Sequence, residues 1–72
     1  MMQAFIVTVR PGSPARYTDS IWVEEQKAHA RVQELKHEFE RRGHEVKTEA
    51  TNSSWAAWVS PVAIQDAELG KK

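Results

Sequence analysis

Apolar and polar positions change period twice along this chain. From Ala4 to Arg10, AFIVTVR, β-branched residues dominate and alternate, with Phe5, Val7 and Val9 on one side and Ile6, Thr8 and Arg10 on the other. This predicts a strand. It is stopped by Pro11-Gly12-Ser13-Pro14, where both prolines lack the ladder donor and glycine tolerates the turn. A second alternating run from Arg16 to about Val23 predicts the return strand of a hairpin, with a loop of about five residues. Tyr17, Ile21 and Val23 are expected on its core side, against Arg16, Thr18, Ser20 and Trp22. The period then lengthens. In EEQKAHARVQELKHEFERR, Glu24 to Arg42, the apolar residues Ala28, Val32, Leu35 and Phe39 recur at steps of four, three and four, one stripe of an α-helix. Gly43 stands where a left-handed C-cap is usually glycine, and Arg41 and Arg42 suit the negative end of the helix dipole. An early N-cap at Asp19 or Ser20 is the competing boundary.

After the helix the period returns to two. Val46, Thr48 and Ala50 alternate with Glu45, Lys47 and Glu49, and Ser54 to Val59 reads as a last strand ended by Pro61. With Asn52-Ser53 as a two-residue turn, Ala50 faces Trp55, Thr48 faces Ala57 and Val46 faces Val59, so the apolar members share one side. Ser60-Pro61 and Gly70 bracket a short helix over Val62 to Leu69, with an irregular strap over a sheet edge as the alternative. The expected fold class is therefore α+β in a single domain over 1–72. It is a four-stranded antiparallel sheet in the order ββαββ, with one long amphipathic helix on one face. Trp55 then points at the helix, while Trp22 and Trp58 are expected on the helix-free side.

Composition narrows the function classes. Ten Lys and Arg balance ten Asp and Glu, whereas a sequence-independent grip on nucleic acid draws on a basic excess. With no cysteine there is neither a disulfide framework nor a thiolate metal site. No apolar run is long enough to cross a bilayer, and the expected location is cytoplasmic. A domain this small hides only about 60% of its unfolded surface, so a homodimer that supplements the thin core is expected. His29 and His37 lie eight apart, not at a ligand spacing of three or four, and there is no HExxH. Gly12, Gly43 and Gly70 are isolated, so no phosphate loop forms. No catalytic residue, metal or cofactor is expected.

Three tryptophans in so short a chain form the compositional oddity. Trp22 and Trp58, with Tyr17 at a rim and Arg10, Arg16 and Lys47 among them, are the candidate partner-binding residues. The expected partner is a protein, either a host complex or a second copy. The alternative is RNA or single-stranded DNA, with bases stacked on the rings and phosphates met by the cations. Glu45 and Glu49 in the same outward row repel phosphate, which favours the protein reading.

The layout of hairpin, helix and second hairpin, ending in Glu49-Ala-Thr-Asn-Ser-Ser-Trp-Ala-Ala-Trp58, resembles small accessory proteins of phages and other mobile elements, among them small anti-CRISPR proteins. The resemblance implies a one-helix, antiparallel-sheet domain that binds Cas subunits and blocks target recognition. The near-neutral charge departs from the acidic, DNA-mimicking members.

Overall fold

The computed structural model describes residues 2–12, 15–51 and 54–64. They form β1 (Met2–Pro11), β2 (Tyr17–Trp22), α1 (Glu25–Arg41) and β3 (Trp55–Ile64). The fold is α+β: an antiparallel sheet in the order β2-β1-β3, with α1 across one side. The helical stripe lies where its period puts it, with Ala28, Val32, Leu35 and Phe39 all buried. Beneath it sit Val7, Val9 and Ala57, with Phe5, Trp22, Trp55 and Val59 packed at the margins and Val46 closing one end. Truncating one large member, such as Phe39, costs about 3–5 kcal/mol.

The helix ends in a Schellman arrangement. Gly43 (φ 95°) donates its N–H to Glu40 O at 2.9 Å, and His44 donates to Phe39 O at 3.1 Å. That turn lays the His44 ring flat on Trp55 (centroids 3.8 Å, 12°), while Phe39 meets the same indole edge-on at 5.0 Å. Gly12 completes the clamp. Its φ is +81°, and a Cβ there would stand 2.5 Å from Cζ2 of Trp55.

Three sequence expectations change, each for a physical reason. First, 44–50 is not a strand of a second hairpin. β3 pairs instead with β1 over ten residues, from Met2↔Ile64 to Pro11↔Trp55. The 44–50 run holds one large apolar residue, Val46, whereas β1 offers Phe5, Val7 and Val9 to the helix and a full ladder to β3. What remains of the expected pairing is one parallel bridge. Lys47 N–H donates to Trp55 O (3.1 Å), and Ala57 N–H donates to Lys47 O (3.0 Å).

Second, Pro61 does not end the last strand. Gly12 N–H donates to Ser54 O (2.8 Å), so the even positions of β3 bond to β1 and the odd positions turn outward, as Trp55 and Ala57 do toward Lys47. The donor that Pro61 lacks therefore falls on the outer edge, where a proline is tolerated. Val62 to Ile64 are strand rather than helix. The rest of the expected tail helix and the Asn52-Ser53 turn lie outside the described residues.

Third, β2 carries a bulge. Val7 pairs with Ser20 but Thr8 pairs with Thr18, leaving Asp19 as an extra residue. The extra residue re-phases the strand. Trp22, opposite Phe5, faces α1, and Ile21, opposite Ile6, faces away from it. The expected outward Trp22 and inward Ile21 and Val23 are thus reversed: Ile21 is 64% and Val23 72% exposed.

Candidate protein-binding surface

The ladder registers line up the helix-free side in cross-strand rows. Ala4 lies beside Val62, Ile6 between Ile21 and Ser60, Thr8 between Thr18 and Trp58, and Arg10 beside Ala56. Two ends differ in chemistry. At one end Ile6 and the exposed Ile21 and Val62 form an apolar patch that carries no charge among the described residues, with Val23 two residues beyond Ile21. At the other end Trp58 is on the helix-free side, as expected, but it is buried at 7% exposure and presents no open ring. Arg10, half-buried in the next row, donates from Nη1 to Thr51 O at 3.3 Å.

The six predicted partner-binding residues therefore do not converge. Trp58 and Arg10 share the helix-free side, while Trp22 and Tyr17 stand on the helix side at the β2 edge. Lys47 is exposed at the opposite edge, beside Ala56 of β3, and Arg16 is exposed just before β2. The sequence pattern puts Ile21 and Val23 on the core side and Val62 in a tail helix, so none of the three is expected at a surface. The available signal was the adjacent polar pair Asp19-Ser20, since a bulge there exchanges the sides of everything that follows.

The bulge also builds a polar chain between β2 and α1. Trp22 Nε1–H donates to Ser20 Oγ (2.7 Å), and Ser20 donates to Asp19 Oδ2 (2.9 Å). Arg31 grips the same carboxylate with two bonds, Nε to Oδ2 at 2.8 Å and Nη2 to Oδ1 at 3.0 Å. Its Nη1 reaches Glu34 Oε1 at 3.1 Å. The Arg31 hydrogen bonds hold the Asp19 carboxyl below its usual range; partial burial opposes this, and the Ser20 hydroxyl and the Arg31 charge add to it. Arg31 is pushed up in turn, first by its bonds to Asp19 and then by those to Glu34. Above this chain an open cleft of about 390 Å³ is lined by Trp22, Lys27, Ala30, Arg31 and Glu34.

The helix otherwise carries exposed ion pairs, among them Lys36–Glu40 (2.6 Å) and Glu38 with Arg41 and Arg42 (3.2 and 2.8 Å). Pairs of this kind contribute about 0.2–1 kcal/mol each. Among the described residues, no three His, Cys, Asp or Glu side chains converge on a metal-sized site. No helix there is long and apolar enough to cross a membrane. No protein-family model, curated protein or solved structure matches this chain.

Proposed function

We propose that the chain is a non-enzymatic protein-binding module whose contact surface is the apolar end of the helix-free sheet side. The observation that carries this reading is the apolar patch of Ile6, Ile21 and Val62, in which Ile21 keeps 64% and Val62 39% of its surface exposed. Large aliphatic side chains in neighbouring positions on one side of a sheet are a surface that a partner of like polarity desolvates. The likeness to accessory proteins of mobile elements suggests the class of partner, a subunit of a larger host assembly that the module occupies. The nucleic-acid reading draws less support. Of its two stacking rings, Trp58 is buried, and Trp22 is half-buried with its N–H held by Ser20.

A photo-reactive phenylalanine analogue at Val62, irradiated in cells of the source, tests the proposal against the same probe at the exposed helix position Gln33. The reading expects a discrete cross-linked protein from position 62 alone, lost when Ile6 is replaced by Lys in a chain that keeps its circular dichroism. Equal products from both positions, or none from position 62, would contradict it.

A further inference from the structure

We infer that the open edge of β2 pairs with the β2 edge of a second copy, joining two sheets into one with the two helices side by side and antiparallel. This concerns the backbone edge of β2, to which Ile21 lends its main chain while its side chain belongs to the apolar patch, and it stands independently of that reading.

Among the described residues, no strand pairs with the outer side of β2. The ladder phase directs Phe5, Val7 and Val9 toward β2, so Trp22, Ser20 and Tyr17 bond inward, and Thr18 and Ile21 turn their backbone N–H and C=O outward. Asp19, the charge that would otherwise repel a like strand, is turned onto Arg31 and neutralised there.

Charge identifies the occupant. On the flank of α1 above this edge, Lys27, Arg31, Glu34 and Glu38 follow at steps of four, three and four, so they form one row reading plus, plus, minus, minus. An antiparallel copy of the same row sets Lys27 against Glu38 and Arg31 against Glu34, each pair occurring twice about a two-fold axis. A parallel neighbour would set like against like. The midpoint of β2 lies between Asp19 and Ser20, and the midpoint of the charge row lies between Arg31 and Glu34. The Arg31–Asp19 bonds hold these two midpoints beside each other, so a single axis serves both strand and helix. On the helix side that axis brings Tyr17, 49% exposed, next to Trp22 of the other copy, flooring the cleft between the helices. The net charge of zero leaves no bulk repulsion to overcome.

Sedimentation equilibrium of the full chain and three variants, each checked by circular dichroism, decides the matter. The wild type is expected to approach twice the chain mass of 8.2 kDa as concentration rises into the micromolar range. Lys27→Glu and Glu38→Lys each reverse a pair on both sides of the axis and should each weaken the dimer about tenfold. An equimolar mixture of those two variants restores opposite charges at both contacts and should recover wild-type association. Val62→Lys should leave the mass unchanged. A wild type that stays at 8.2 kDa up to millimolar concentration overturns the inference, as does a mixture no tighter than its components. Dissociation by Val62→Lys also overturns it, because self-association would then run through the apolar patch.

Discussion

The contact between Gly12 and Trp55 gives a perturbation with a built-in control. Gly12 and Gly43 both have positive φ, +81° and +95°, so alanine at either position bears the backbone cost of the left-handed region, about 1–2 kcal/mol. At Gly43 nothing lies within 4 Å of the added methyl, whereas at Gly12 it would fall 2.5 Å from Cζ2 and 2.8 Å from Cε2 of Trp55. The indole cannot retreat, being stacked on His44 on one face and met by Phe39. Overpacking of this kind adds about 1–3 kcal/mol. Gly12→Ala should therefore destabilise by about 2–5 kcal/mol and Gly43→Ala by about 1–2, in a domain whose total stability is about 4–10 kcal/mol. Urea unfolding followed by far-ultraviolet circular dichroism reads both. With a slope of about 1 kcal/mol per molar for so small a chain, the midpoints should differ by roughly 1–3 M. Repeating Gly12→Ala in a Trp55→Leu background removes the obstruction and should bring its cost down to that of Gly43→Ala. Equal midpoints for the two single variants would refute the claim that Gly12 is packed on this ring.

Two further outcomes follow from the same geometry. Asp19→Asn removes the charge that Arg31 grips and should cost about 1–2 kcal/mol at pH 7, since Arg31 remains about a third exposed. The folded pKa of Asp19 is depressed, so its contribution is complete above the usual carboxylate range near pH 4 and is lost as the pH falls through the folded value. The gap between wild type and variant in thermal melts should accordingly narrow on acidification below about pH 4; a gap that widens would reject the assignment. Proline position tests the ladder phase. Pro61→Ala should change stability by under about 0.5 kcal/mol, whereas Ser60→Pro removes a bond to β1 opposite Ile6 and should cost about 3 kcal/mol, as read by chemical denaturation.

The parts of the fold legible in the sequence are those set by local period. The stripe of Ala28, Val32, Leu35 and Phe39 could face only a sheet, and Gly43 could hardly be anything but the helix stop. Alternation from Phe5 to Val9 fixed the two sides of β1 for the same reason. Pairing partners are a different kind of information. Alternation at Val46, Thr48 and Ala50 matches Trp55, Ala57 and Val59 in sequence, yet β1 outcompetes that run because it brings a ten-residue ladder to β3. The same limit governs the candidate surface. A single extra residue, Asp19, moves Trp22 under the helix and brings Ile21 out, because strand sides alternate with a period of two. No count of apolar residues reveals such an insertion. The polar chain from Trp22 through Ser20 and Asp19 to Arg31 is the physical reason the bulge is favoured.

Both binding surfaces depend on how the tryptophans and isoleucines divide between the two sides of the sheet, and a nuclear Overhauser spectrum of isotope-labelled protein reads that division directly. Contacts from the Trp22 indole to Ala30 on α1, together with methyl contacts between Ile21 and Ile6 on the far side, are the expected result. Contacts from Ile21 to Val32 or Leu35, with Trp22 instead near Ile6, would contradict the account.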